Sequence, residues 1–142
     1  MQTAVLQLEQ QQNIMRLPAD PSQLAVARQF AEEAAERFGF DETERYQFKL
    51  AVSEAVANAI EHGCPFPDGT VALELFEEPE SLSAEVTDCG VFTTKMVADQ
   101  GSLLERGRGL AFMTVFVDEL DILRGEDHTV VRLTKHRPGL AG

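Results

Sequence analysis

Glu54, Asn58 and His62 follow one another at intervals of four residues, a spacing that stacks them along one edge of an α-helix, one turn apart. A carboxylate and an amide sharing that edge suit the holding of a metal-bound ligand. The surrounding stretch, Phe48 to Gly63, divides cleanly at about 100° per residue. Phe48, Val52, Ala55, Val56, Ala59 and Ile60 fall on one side, and Glu54, Asn58, Glu61 and His62 gather on the other. One side is core; the other is chemistry or solvent.

The plainer account is that Glu54, Asn58 and Glu61 form the wet edge of an amphipathic helix. Two further patterns weigh against it: Asp88-x-Gly90 after a strand-like run, and Gly107-x-Gly109 before an apolar run. His62 reads as a helix-end residue, since cations suit that terminus. A zinc site built from Glu54, His62 and Cys64 is the weaker alternative. Ser53 has no nucleophile-elbow pattern around it, which argues against a hydrolase triad. Cys89 reads as a small buried residue, with redox sensing as its alternative. Arg106 and Arg108 are either surface charge or ligands, and the glycines flanking Arg108 favour a ligand role.

Composition narrows the classes. A chain of 142 residues fits one domain, 1–142, with enough length to bury a core. Hydrophobic residues at 44% and charged residues at 25% are ordinary for a globular protein. No apolar run approaches about 20 residues, and no basic flank precedes an apolar stretch at the N-terminus, so neither a membrane span nor a secretory signal is expected. The expected location is the cytoplasm. Two cysteines are too few for a disulfide framework and match no common zinc spacing. Acidic residues outnumber basic ones 24 to 12, for a net charge of −12. Without a concentrated basic patch, that charge argues against direct nucleic-acid binding.

In chain order, Thr3 to Glu9 alternates like a strand, and the Gln-rich stretch to Asn13 leads into Ile14 to Leu17, suggesting an N-terminal hairpin over 1–17. Asp20-Pro21 starts a helix, with Gln23 able to reach back to the cap. Apolar residues then keep helical spacing to Phe38, and Gly39 stops it. Asp41 with Glu44 makes a capping-box pattern for the next helix, expected to run to Gly63. Val71 to Phe76 and Leu82 to Val86 alternate and should pair as a hairpin across Glu77 to Glu80. Val91 to Glu105 reads as a loop. A helix over Leu110 to Val117, strands over Glu119 to Leu123 and Thr129 to Thr134, and a frayed tail, 137–142, complete the expectation. The order implies an α/β two-layer sandwich, a mixed but mostly antiparallel sheet with helices packed on one face. Both G-x-x-x-x-G-K-[ST] and G-x-G-x-x-G are missing, so a nucleotide would be held in another way.

Taken together, Glu54-x-x-x-Asn58-x-x-x-His62, Asp88-x-Gly90 and Gly107-x-Gly109 resemble the N, G1 and G2 boxes of the GHKL ATPase superfamily. More narrowly, LAVSEAVANAIEHG, VTDCG and GRGLAFMTVFVDEL are similar to the bacterial anti-sigma-factor serine kinases and their partner-switching relatives. The resemblance spans about Pro18 to Lys135 and implies the Bergerat, or histidine-kinase-like, ATPase fold. It implies Glu54 as general base, Asn58 as magnesium ligand, Asp88 as adenine reader, and Gly107, Arg108, Gly109 and Leu110 as the phosphate-side loop. Thr129 would assist at adenine through water. ATP and Mg2+ are the implied cofactors. The implied partners are a STAS-type anti-anti-sigma protein, phosphorylated on serine, a sigma factor or other client, and a second copy of the chain in a homodimer.

Physical reasons accompany each role. A carboxylate only accepts hydrogen bonds, so Asp88 can select the exocyclic amine of adenine. Gly90 lets the backbone come close to the ring. Magnesium retains waters and phosphates around it, so one amide oxygen from Asn58 is a sufficient anchor. Gly107 and Gly109 at a helix start expose backbone N–H groups to phosphate, and Arg108 adds a fork of donors. Phosphoryl transfer then needs alignment and a proton acceptor, which Glu54 supplies. The chain departs from the family pattern at Val91-Phe92, where relatives carry glycine or small polar residues, and its segment to Gly107 is short for an ATP lid. Lower nucleotide affinity or a differently shaped lid is the consequence expected. The alternative function is a noncatalytic interaction module that keeps the fold and acts by sequestering a partner.

Overall fold

The structure is a computed structural model and describes residues 13–63, 69–88, 115–124 and 128–138. The elements in order are β1 (Ile14–Pro18), α1 (Leu24–Phe38), α2 (Glu42–Asn58), β2 (Thr70–Glu77), β3 (Ser81–Asp88), β4 (Glu119–Arg124) and β5 (Thr129–His136). The five strands form one sheet in the order β1-β2-β3-β5-β4, and all four ladders among the described residues are antiparallel. The two-layer arrangement read from the sequence is borne out, with both helices on the same side of the sheet.

Alternation along the strands decides which face the helices cover. Val71, Leu73 and Leu75 of β2, Leu82, Ala84 and Val86 of β3 and Leu133 of β5 are all buried and lie on one face of the sheet in register. The other face is polar: Arg132 donates to Glu85 at 2.9 Å and lies 5.5 Å from the centroid of the Phe76 ring. Against the apolar face pack Phe48, Val52, Ala55 and Val56 of α2. The stripe Ala27, Ala31, Ala34, Ala35 and Phe38 of α1 joins the same core. Small side chains on α1 allow the two helices to approach closely. Among the described residues no helix is long and apolar enough to cross a membrane.

Local chemistry sets the helix boundaries. Gly39 ends α1 with φ at 98°, a left-handed conformation suited to glycine, and its N–H bonds to the carbonyls of Ala35 and Glu36. The capping box at Asp41 and Glu44 is formed in both directions, at 2.8 and 3.1 Å. At the earlier start the expectation needs adjustment. Asp20 caps a 3-10 turn, Pro21–Gln23, by accepting from the Ser22 N–H at 3.1 Å, and the α-helix begins only at Leu24. Gln23 donates to the Ser22 hydroxyl instead of reaching the cap.

Three other differences matter. The helix expected to run evenly to Gly63 is α-helical only to Asn58 and continues as a π-helical turn, Ala59–Gly63. That wider winding keeps both Ala59 and Ile60 buried while the turn packs on β2 and β3. The regular row of four-residue steps therefore joins Glu54 to Asn58 but does not extend unchanged to His62. Second, β1 pairs with β2, while its expected hairpin partner, Thr3 to Glu9, lies outside the described residues. Third, the chain is anchored at Arg137, where fraying was expected to begin. Its backbone N–H bonds to Glu80, and its guanidinium donates to the carbonyls of Pro79 and Phe38, both at 2.8 Å. The loop Val91 to Glu105 and all but the last turn of the helix over Leu110 to Val117 also lie outside the described residues.

Candidate nucleotide and phosphoacceptor site

Asp88 is the last residue of β3, and Thr129 is the first of β5. Antiparallel pairing sets them directly opposite each other, with Val71 of β2 on the far side of Asp88. Asp88 is 6% exposed and Thr129 is fully buried. Burying a carboxylate is costly unless it is matched by donors. A buried acceptor and a buried hydroxyl side by side at the end of two central strands suit a ligand edge that carries an N–H group. The two residues assigned to adenine are thus brought together, although 41 positions separate them in the sequence.

Asn58 is the last residue of α2 and Glu54 lies one turn before it, each partly exposed. The π turn immediately after Asn58 packs on β3, the strand that ends in Asp88. Such a turn is frequent at functional positions in helices. Phe48, Val52, Ala55 and Val56 fix the opposite side of α2 in the core, so apolar packing sets the face of the helix on which Glu54 and Asn58 stand. Asn58 offers a neutral oxygen, and Glu54 offers a proton acceptor one turn away. This donor set fits a hydrated magnesium ion carried by phosphates.

Gly90, Gly107, Arg108, Gly109 and Leu110 lie outside the described residues, as do Cys64, Cys89 and the side chain of His62. Residues on either side of the glycine-rich segment are placed, however. Lys135 of β5 donates to Gln47 of α2 at 2.9 Å and to the carbonyl of Phe116 at 3.1 Å. Phe116 is thereby linked through Lys135 to the helix bearing Glu54 and Asn58.

One residue near the site was not singled out from the sequence. Arg28 of α1 donates its Nε to the Oγ of Ser53 at 2.9 Å, beside Glu54 in the chain. Ser53, considered in the sequence only as a nucleophile, is a hydrogen-bond acceptor here. The available signal was the position of Arg28 next to the alanine stripe, where its side chain emerges along the seam between the helices.

Comparison with known proteins agrees with the fold. A profile for the histidine kinase-like ATPase domain matches residues 17–135. The chain is 31% identical over 132 residues to the serine-protein kinase RsbW of Bacillus pumilus (strain SAFR-032), covering 82% of this chain and 80% of that protein. It is 32% identical over 101 residues to the anti-sigma F factor of Thermoanaerobacter sp. (strain X514), covering 62% and 67%. Among solved structures, that of the RsbU and RsbW domains of Rv1364c from Mycobacterium tuberculosis aligns with a TM-score of 0.63 at 26% identity. The alignment covers 88% of this chain and 33% of that longer one. Shared fold, a matching profile over most of the chain and these relatives lead to one conclusion: the chain belongs to the histidine kinase-like ATPase family, among the anti-sigma-factor serine kinases.

Proposed function

We propose that this protein is an ATP-dependent protein-serine kinase and anti-sigma factor of a bacterial partner-switching system, phosphorylating a serine on a STAS-type anti-anti-sigma protein. The observation that carries the reading is the buried pairing of Asp88 with Thr129 on neighbouring strands, beside a helix whose end bears Glu54 and Asn58. Asp88 accepts from the adenine amine, with Thr129 assisting. Asn58 holds Mg2+ through its amide oxygen, and Gly90, Gly107, Arg108, Gly109 and Leu110 complete the nucleotide site. Mg-ATP supplies the phosphoryl group and the charge neutralisation that its transfer needs. Glu54 takes the proton of the incoming serine hydroxyl. In the alternative state the same protein sequesters a sigma factor or other client, and it works as a homodimer.

The test is incubation with Mg-ATP and candidate STAS-domain proteins, followed by intact mass measurement of each. A gain of one phosphate on a partner supports the kinase. Nucleotide binding with no gain on any partner supports a noncatalytic module that acts by sequestration alone.

A further inference from the structure

β4 is the last strand in the order of the sheet and pairs with β5 along one side. No described strand takes its other side, where every second residue turns a backbone N–H and C=O away from the sheet. Native edges of this kind are commonly blunted by proline or by charges turned toward the core. β1, at the opposite edge, ends in Pro18. From Glu119 to Leu123, β4 has no proline, and its core-side residues are Leu120 and Ile122, the register partners of Leu133 and Val131. Ile122 is 37% exposed and Leu123 is 56% exposed, so apolar surface is open on both faces of the strand.

The charges on β4 decide what kind of strand this edge admits. Register partners across an antiparallel ladder share a face, so Asp121 stands on the outer face with Arg132, and Glu119 and Leu123 stand on it two residues to either side. Arg132 is committed to Glu85 at 2.9 Å, and the exposed Asp121 has no ion pair among the described residues. Glu119 pairs with His136 at 3.2 Å, an exposed contact of little strength. Two acidic positions and one apolar position thus follow one another along the outer face, with aliphatic residues between them on the core side. A second copy of this strand would bring carboxylates toward carboxylates, in a chain of net charge −12. A basic strand is complementary.

We propose that β4 is a docking edge for an extended basic segment of a protein client, which adds to the sheet as a further antiparallel strand. Backbone bonds along the free side supply the affinity, and cross-strand pairs supply the selectivity. Read in its own chain direction, the segment is apolar opposite Leu123 and Ile122, basic opposite Asp121, apolar opposite Leu120 and basic opposite Glu119. The docking chemistry needs neither nucleotide nor phosphoryl transfer, and it stands whether or not the protein is a kinase.

The test is fluorescence-anisotropy titration of the full chain into a labelled synthetic peptide whose central residues are valine, valine, lysine, valine and lysine, in that order. Saturable binding is expected below millimolar concentration, and Asp121→Lys should weaken it about tenfold, because attraction across one register pair becomes repulsion. Exchanging the lysine opposite Asp121 for glutamate should weaken binding to the wild type and recover it in Asp121→Lys. Leu123→Ser should also weaken binding, and both substitutions, at exposed positions, should leave the melting temperature unchanged. N-methylation of alternate peptide residues separates strand addition from simple charge attraction: one alternate set removes the donors that face β4, and the other removes donors that face solvent. One set should abolish binding and the other spare it. No saturable binding at millimolar peptide, wild-type affinity in Asp121→Lys, or equal effects of the two methylation patterns overturns the proposal. A changed oligomeric state of Asp121→Lys in sedimentation, with no peptide bound by the wild type, assigns the edge to a second copy of the chain and likewise overturns it.

Discussion

Asp88 and Thr129 are register partners at the end of the β3–β5 ladder, one nearly and one wholly removed from solvent. Strand ends are where a sheet can stop pairing with itself and begin to pair with a ligand. The carboxylate is also flanked by Val71 on the other neighbouring strand, so its position is held from two sides before any ligand arrives. Preorganisation of this kind lowers the ordering cost of binding.

Asp88→Asn should weaken Mg-ATP binding by at least about tenfold, because an amide placed toward the adenine amine turns one acceptor position into a donor and leaves a buried polar group mismatched. Thr129→Val preserves shape and branching but removes the hydroxyl, and should cost less. Titration calorimetry with Mg-ATP checks both, and equal affinity in Asp88→Asn and wild type would remove Asp88 from the nucleotide site.

Glu54 and Asn58 share an edge but are assigned separable tasks. Glu54→Gln should bind Mg-ATP normally and transfer phosphate about a hundredfold more slowly or worse, the usual scale of a lost general base. Asn58→Ala should weaken binding in the presence of Mg2+ and have less effect on nucleotide alone. Measuring affinity with and without Mg2+, alongside transfer rates, distinguishes the two. Transfer by Glu54→Gln at the wild-type rate would refute the assignment of the base.

What the sequence showed, and what it hid, follows from the range of the forces involved. Gly39, the Asp41–Glu44 box and the alternating runs of β2 and β3 are local signals, and each element stands where its own residues place it. Asp88 and Thr129 were legible as separate residues; their adjacency needed the strand order. The π turn after Asn58 was not legible, because Ala-Ile-Glu-His suits an α-helix equally well, and packing of Ala59 and Ile60 on the sheet selects the wider winding. Arg28 with Ser53, and Arg137 with Phe38, join residues 25 and 99 positions apart. No periodicity in one segment encodes such contacts.

Gly39 is the only described residue with a positive φ, and an added Cβ would meet the Arg137 guanidinium at 3.5 Å, an ordinary contact. Backbone strain, not crowding, therefore sets the cost of replacing it. Gly39→Ala should lower stability by about 1 kcal/mol, and Gly39→Asn, which tolerates the left-handed region, by less. Urea denaturation of the purified variants resolves differences of this size. A stability for Gly39→Ala equal to that of the wild type would contradict the conformation of this cap.

Arg137 closes the fold at the end remote in sequence from α1. Its guanidinium carbon lies 3.7 Å from the centroid of the Phe38 ring, and its nitrogens donate to the carbonyls of Phe38 and Pro79. Those two carbonyls belong to the last residue of α1 and to the turn between β2 and β3, so one side chain fastens a helix end, a hairpin turn and the end of β5. A helix C-terminus favours a cation and lacks internal donors for its last carbonyls. Arg137→Ala should therefore lower stability by about 2 kcal/mol, combining lost charge-assisted bonds with the lost contact over the ring. Arg137→Lys, with a point charge in place of a planar fork, should recover only part of that. Mg-ATP affinity measured well below the unfolding transition should be unchanged in both, because Asp88 and Thr129 pair at the opposite end of the β3–β5 ladder from Ser81 and His136. Full stability in Arg137→Ala would show that the clasp contributes nothing to the fold, whereas a large loss of nucleotide affinity would link it to the site.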